Sequence, residues 1–344
     1  MMISVVIPAH NAACTLGECL QAIRRSQYVD YEVIVADDAS SDSTGDVARN
    51  LGCHVIRAER NIGAAQAKNL GASEARGDVI LFTDADILLQ PDTLTLVAED
   101  LNDAGVSAVV GLLGPRLRYR DFGSQFKNLW MYYTYSLLAD SKAAHEGVGL
   151  FFTSIASIRK GVFEQVGGFD TNYRGASVTE DIEFGQRLLS AGYRVRLDGR
   201  LTVEHLKRYT PGAVLKTDLQ RAFGLAKTWL RKKLEPELRT AGEKYYASVP
   251  WSFMLGVPLS WMLPCLLALA LLGQPPSRQL FWFGMAAAAY VALLLANARF
   301  IAVLRRERGW VFGLQSCLFL PLDLWVSGLG ALWAVTDYVR GNRY

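Results

Sequence analysis

The last third of the chain is its strongest constraint. From Pro250 onward charged residues become scarce, and three apolar stretches follow: 251–272, 280–304 and 311–335. A membrane-crossing helix needs about 20 apolar residues, so each stretch is long enough. Buried core helices of this length, placed this close together, would be unusual. We expect three spans, with two as the alternative. Pro258 and Pro264 interrupt the first stretch, which suits a re-entrant path as well as a crossing. Arg305, Arg306 and Arg308 separate the second and third stretches, and basic loops favour the cytoplasm. Three spans would leave Arg340 and Arg343 outside, against that rule. Asp323 lies inside the third stretch, where an ionisable group needs a partner or a wet cavity. Arg299 is the nearest candidate in sequence, unless it snorkels to the interface.

Residues 1–206 read differently. Short Val- and Ile-rich runs at Ile3–Ile7, Glu32–Ala36, His54–Arg57, Val79–Phe82 and Ser107–Leu112 alternate with helical patterns at Ala13–Arg25, Thr44–Asn50, Ala64–Ala75 and Thr93–Ala104. Continuous apolar strands joined through helices argue for a doubly wound α/β layer with both sheet faces covered. Ligands bind at the C-terminal ends of such strands. Beyond Gly114 the spacing predicts an aromatic helix in FKNLWMYYTYSLLAD, a strand in GLFFTSIASIRK, and a helix entered by Thr179-Glu180-Asp181 and followed by a strand. Between the two halves, 207–249 carries Leu215, Leu219, Ala222, Ala226 and Trp229 at helical spacing. Lys216, Arg221, Lys227, Arg231, Lys232 and Lys233 lie among them. That pattern suits a basic amphipathic helix on a membrane surface; the alternative is an ordinary helix packed on the first domain.

A net charge of +3 gives no support for nucleic-acid binding by the whole chain. Five cysteines without a CxxC pair argue for reduced thiols and against a zinc site. The opening MMISVVIPAH lacks a basic n-region and reads as a strand, not as a signal peptide.

The strand ends hold the chemistry. Asp84 and Asp86 close the fourth strand one residue apart. Like charges so placed repel, and burying them unpaired is costly. A hard divalent cation removes the conflict and can also grip a diphosphate. Asp37-Asp38 ends the second strand, where a carboxylate accepts from a nucleobase N–H or a ribose hydroxyl; it would otherwise cap the helix near Ser43. Gly63 opens a helix that suits phosphate, and Lys68 adds a cation unless it is a solvated face. Glu180-Asp181 could favour a helix dipole or act as a general base. Asp92 reads as an ordinary helix N-cap.

The segments SVVIPAHNAACTLGECLQAI, VIVADDASSDST, NIGAAQAKNLGASEARGDVILFTDADILLQPDTL, VGGFD and TEDIEFGQRLLSAGYRV occur in this order. Together they resemble a membrane-associated family 2 glycosyltransferase with the GT-A nucleotide-diphospho-sugar fold, over roughly Ile3 to His205. The resemblance implies a doubly wound mixed sheet followed by a C-terminal helical membrane region. It also implies inverting transfer of a sugar from a nucleotide-diphosphate donor, with Mg2+ or Mn2+ as cofactor. Pro8 and Asn11 would line the nucleotide pocket, and Asp38 would hold the base. Asp84 would sit near ribose and metal, and Asp86 would be the principal metal ligand. His205 stands where some relatives place a late metal ligand, although a histidine after a strand is often structural. Asp181 would be the catalytic base with Glu180 beside it. Lys68 replaces a frequent arginine and would stabilise the departing diphosphate. The family's processive polymerases carry QxxRW; here Gln220-Arg221 is followed by AFGLAKTW, which does not match, so single transfers are expected.

The expected protein is a multi-pass enzyme of the inner cell membrane with a cytoplasmic catalytic domain. It would pass one hexose-type sugar to a membrane lipid or lipid-linked acceptor in envelope glycan or glycolipid synthesis. A polyprenyl-phosphate sugar synthase and a non-catalytic nucleotide-sugar-binding assembly protein are the alternatives. No nucleic-acid partner is expected.

Overall fold

The structure is a computed structural model that describes residues 1–172, 180–234, 249–273 and 275–342. Thr179, Arg343 and residues 235–248 of the expected interface region lie outside the described residues.

The N-terminal domain runs β1 (Ile3–Ala9), α1 (Ala13–Arg24), β2 (Tyr31–Asp37), α2 (Thr44–Asn50), β3 (His54–Arg57), α3 (Ala64–Ser73), β4 (Val79–Phe82), β5 (Ile87–Leu88), α4 (Thr93–Leu101), β6 (Ala108–Leu113), α5 (Phe122–Ala139), α6 (Ala143–Glu146), β7 (Ala156–Arg159), α7 (Lys160–Val166), α8 (Glu180–Ser190) and β8 (Val195–His205). Through β6 the expected strands and helices are present, with ends shifted by up to three residues. The largest of these shifts is in α4, which stops at Leu101. α5 begins four residues before the expected aromatic helix, and only Ala156–Arg159 of GLFFTSIASIRK is strand. Asp92 occupies the N-cap position of α4, but its side chain makes no capping bond. Instead the Thr93 hydroxyl accepts from the Gln90 amide.

The strands form one sheet in the order β3-β2-β1-β4-β7-β6-β8-β5. β1 pairs in parallel with β2 and β4, β2 with β3, and β6 with β8. β7 runs antiparallel to β4 and β6, and β5 antiparallel to β8. The sheet is therefore mixed. β4 and β6 are buried along their whole length because helices cover both faces. The parallel half brings the ends of β1, β2 and β4 to one edge, and the antiparallel half folds β7 and β8 back toward it.

The C-terminal region consists of α9 (Pro211–Leu234), α10 (Trp251–Leu272), α11 (Pro276–Ala296), α12 (Ala298–Arg308) and α13 (Trp310–Val339). Three of these, α10, α11 and α13, are long and apolar enough to cross a membrane. The second apolar stretch does not continue to residue 304 as expected. Its helix stops at Ala296, and the buried Asn297 side chain donates back to the Leu293 carbonyl (3.0 Å). An amide that competes with the backbone ladder in this way favours a break. After the break, α12 turns Phe300 and Leu304 into the core beside α5, with the Phe300 ring 5.1 Å from Tyr133 and 5.8 Å from Phe126.

α13 lies along the N-terminal domain and then along α9. Phe312 meets Phe122 at 5.2 Å and Phe319 meets Phe126 at 5.0 Å. Farther on, Trp333 meets Phe223 at 4.4 Å, and Asp337 pairs with Lys227 at 2.7 Å. Asp323 is 1% exposed and meets Asp218 and Lys127; Arg299, the expected partner, is not among its contacts. In α9 the side chains of Arg221, Lys227 and Arg231 are all buried, against α5 and α13.

Gly330 marks the tightest approach of the two helices: a Cβ there would strike the Leu219 carbonyl oxygen. Backbone is the neighbour, so the clash has no flexible side chain to absorb it. Gly330→Leu is expected to cost about 1–3 kcal/mol of stability, read as a lower thermal midpoint of the detergent-solubilised protein.

Candidate active site

A hollow of about 390 Å3 opens at the strand ends, lined in part by Asp84, Asp86, His205, Lys207, Lys127 and Arg221. Its acidic side is built by register. β4 ends at Phe82, so Asp84 and Asp86 project from the turn into β5. β5 then pairs with β8, setting Ile87 opposite His205. The Leu206 amide donates to the Asp86 carbonyl (2.7 Å), and His205 Nε2 lies 3.2 Å from Asp86 Oδ2. A two-residue strand thereby brings together groups 119 positions apart.

Asp84 is fixed from another side. β7 pairs antiparallel with β4, Ala156 opposite Phe82, which places Ser154 near the turn. The Ser154 hydroxyl donates to Asp84 Oδ2 (2.8 Å). Burial holds the Asp84 carboxyl above the usual carboxylate range despite the pull of Lys68, and Asp86 adds to the rise. Burial works the same way on Asp86, but His205 and Lys207 outweigh it and hold that carboxyl below the usual range. The environments thus push the two acids apart.

Lys68 is not on a solvated helix face. It is 3% exposed, and its ammonium donates to Glu180 (3.0 Å) and Thr153 (2.8 Å). Burial alone would push it toward neutrality, but Glu180, Asp84 and Asp181 together keep its pKa above the ordinary lysine value. Asp181 is half-buried in the first turn of α8, and its carboxylate accepts from the Ile182 amide (2.7 Å). Burial, followed by the charge of Glu180, pushes Asp181 up to about 7, against the pull of Lys68 and Arg221. A carboxyl poised there takes or releases a proton near neutral pH.

The loops after β1 and β2 form the adjoining edge. Asp38 does not cap α2, whose N-cap is Ser43; Asp42, one residue earlier, accepts from the Thr44 amide (3.0 Å). Asp38 accepts from the Ile62 and Gly63 amides (2.6 and 3.0 Å), tethering the loop that leads to Ala64 on the rim of the hollow. The His10 ring contacts the Asp38 carbonyl (2.7 Å). Asn11, at φ 50, accepts from the Ser41 amide (2.8 Å), while its own amide donates to Ser40 Oγ (3.0 Å). Ala39 is also left-handed at φ 54, a strained setting for a residue with a Cβ. Pro8 stands half-exposed near the end of β1.

Asp84, Asp86 and His205 thus share the hollow, while Lys68, Glu180 and Asp181 form a linked charged group whose fields reach Asp84 and Arg221. Asp38 reaches the site through the loop it holds. Among the described residues no three His, Cys, Asp or Glu side chains converge as a metal cluster on their own.

Sequence reasoning missed Ser154, Thr153, Lys127 and Lys207. Lys207 follows His205 by two residues and was legible as part of the same segment. Ser154 and Thr153 carry no local signal, because they join the site only through the β4–β7 pairing.

Comparisons with known proteins agree with this architecture. Residues 4–167 match the family model described as Glycosyl transferase family 2. A PGL/p-HBAD biosynthesis glycosyltransferase of Mycobacterium bovis is 31% identical over 196 residues, covering 55% of this chain and 70% of that protein. A poly-beta-1,6-N-acetyl-D-glucosamine synthase of Staphylococcus epidermidis is 23% identical over 339 residues, covering 94% of this chain and 80% of that one. A mannosyltransferase of Pyrobaculum calidifontis, solved with GDP-Man and Mn2+, superposes with a TM-score of 0.61 at 22% identity, covering 96% of this chain and 87% of that one. That likeness establishes the GT-A fold. With the matched motifs, the acidic hollow and the shared fold together, the chain belongs to the family 2 glycosyltransferases.

Proposed function

We propose that the protein transfers one sugar, with inversion, from a nucleotide-diphosphate sugar to a membrane lipid or lipid-linked acceptor. The observation that carries the reading is Asp181, poised near pH 7 and linked through Glu180 and Lys68 to the Asp84–Asp86 hollow.

Pro8 and Asn11 line the nucleotide pocket in this reading. Asp38 meets the base, since each carboxylate oxygen keeps a second lone pair beyond its amide bond. Asp84 faces ribose and metal. Asp86 and His205 would hold Mg2+ or Mn2+, with Asp84 in support; carboxylate and imidazole suit such a cation. When bound, the cation neutralises charge that gathers on the leaving diphosphate. Lys68 is held by Glu180 and Thr153, so it acts on the diphosphate through its field and keeps the acidic pair in place. Asp181 removes the acceptor hydroxyl's proton as that oxygen attacks the anomeric carbon from the face opposite the diphosphate. One displacement inverts the configuration. A phosphate acceptor arrives already ionised and needs less of Asp181.

Single transfer is favoured by the residues after Gln220-Arg221, which depart from the polymerase motif. The packing also favours two membrane crossings over three. α10 and α11 form the hairpin, while α13 follows the underside of the N-terminal domain and α9. Arg305, Arg306, Arg308 and Arg340 then all fall on the cytoplasmic side with the catalytic domain, as the positive-inside rule prefers. Arg308 already donates to the Pro115 carbonyl of that domain (2.5 Å).

Three outcomes test this reading. Asp181→Asn is expected to lower kcat by about 10²–10⁴ with donor KM nearly unchanged, measured as nucleotide diphosphate release. The Asp181 pKa is raised, so the base is protonated below pH 7; the wild-type rate is expected to rise with pH through about 7, and the variant is expected to lose that limb. An unchanged rate and profile in Asp181→Asn would remove it as the base. In a thermal-shift screen of nucleotide-diphosphate sugars, a cognate donor is expected to stabilise the protein more with Mn2+ than without, and Asp86→Ala is expected to lose the Mn2+ increment. A cysteine placed at Val339 is expected to react with an impermeant maleimide only from the cytoplasmic side; outside labelling would restore the three-span topology.

A further inference from the structure

A second cavity, of about 360 Å3, lies between α9, α10 and α13, with Trp130 of α5 at one end. Most of its wall is apolar, including Leu225, Phe253, Val257 and Leu324. It is bounded by two of the helices apolar enough to cross a membrane. Arg221 lines this groove and also lines the catalytic hollow, so one side chain stands at the boundary of both.

That guanidinium is weakly satisfied. It is 7% exposed, and its Nη atoms reach only the Met131 sulfur (2.8 Å) and the Tyr135 hydroxyl (3.2 Å). Its Nε has no hydrogen-bond partner. Among the described residues Arg221 makes no carboxylate ion pair. It lies 5.0 Å from the Trp130 ring, a cation–π contact that offsets only part of the loss of water. The nearby acids are engaged elsewhere. Lys127 is bonded to Asp218, and Asp218 lies beside Asp323. Asp218 and Asp181 reach Arg221 through their fields and not through a hydrogen bond, so the fork itself keeps free donor capacity. A buried arginine fork of this kind matches a phosphate oxyanion.

We infer that the groove binds the hydrocarbon chain of a phosphate-bearing lipid, with the phosphate on Arg221 and the headgroup directed into the catalytic hollow. The inference deepens the transferase reading and rests on it for the acceptor role: it makes the acceptor an anionic lipid whose phosphate sits beside its chain. The lining sets the direction: the groove is apolar between the helices and polar at Asp218, Arg221 and Asp323, and Arg221 is the side chain it shares with the hollow that holds Asp84 and Asp86. The alignment also explains why Arg221 is buried so close to Asp181, whose carboxyl it influences.

The test uses the full chain in phosphatidylcholine nanodiscs, so that bulk phospholipid competes throughout. The probe is hexadecyl phosphate with a terminal diazirine, and the control is the matching hexadecanol. Photolabelled peptides are mapped by mass spectrometry. Label is expected on α9, α10 and α13 residues of the groove, about tenfold stronger for the phosphate than for the alcohol. Arg221→Gln is expected to lose about tenfold, and Arg221→Lys, which keeps the charge without the fork, is expected to lose less. If Arg221→Gln fails to fold, Ala331→Trp carries the test, filling the groove from its half-exposed rim and abolishing the label. Equal labelling by the alcohol, unchanged labelling in Arg221→Gln or Ala331→Trp, or label placed elsewhere overturns the inference. The nucleotide-sugar thermal shift is read on the same preparation. Phosphate-dependent labelling with no donor response keeps the lipid site and removes the transferase reading, and the converse removes only the lipid site.

Discussion

Four carboxylates crowd one edge of the sheet, and the cations that offset them govern everything around the site. Asp84, Asp86, Glu180 and Asp181 would repel one another strongly in a low-dielectric setting. Lys68 sits among Glu180, Asp84 and Asp181, while His205 and Lys207 attend Asp86. The result is not uniform neutralisation. Asp86 is favoured as an anion, Asp84 is held back, and Asp181 is left poised near neutrality. The roles proposed for Asp86 and Asp181, a cation ligand and a proton acceptor, would need these opposite settings.

The same logic extends below the sheet. The underside of the domain carries Lys127, Asp218, Arg221 and Asp323, all buried where α5 and α9 meet α13. Buried ionic groups contribute little net stability compared with apolar packing, so their presence calls for another explanation. Lys127 and Asp218 tie α5 to α9, and Asp323 brings α13 to the same point. The apolar third of the chain is therefore registered against the catalytic domain by polar groups and by the Phe122–Phe126–Phe312–Phe319 ring cluster. That rigid attachment would keep the hollow at a fixed height over the membrane.

Much of the N-terminal half was legible beforehand. Continuous Val- and Ile-rich runs marked the parallel strands, and the carboxylates at their ends marked the edge that matters. Glu180-Asp181 at a helix start was equally readable. The C-terminal half was less so. An apolar run of 25 residues predicts one helix, yet a single amide at Asn297 ends it, because hydropathy does not register a side chain that competes for a backbone carbonyl. Asp323 suggested Arg299, close in sequence, but its partners are Asp218 and Lys127 on other helices. For Lys68 a phosphate cation and a solvated face both stood open, because helical spacing alone does not say which face packs inward.

By itself the sequence determined the alternation of strand and helix, the acids at the strand ends and the apolar third, because hydrophobic periodicity and local turn chemistry are written in neighbouring residues. Only the tertiary structure decided which acids meet which cations. The pairing of β5 with β8 brings His205 to Asp86, β7 brings Ser154 to Asp84, and the burial of α3 turns Lys68 toward Glu180. Each contact joins residues 70 to 119 positions apart, and such distances are closed by strand register and core packing, which no local pattern encodes.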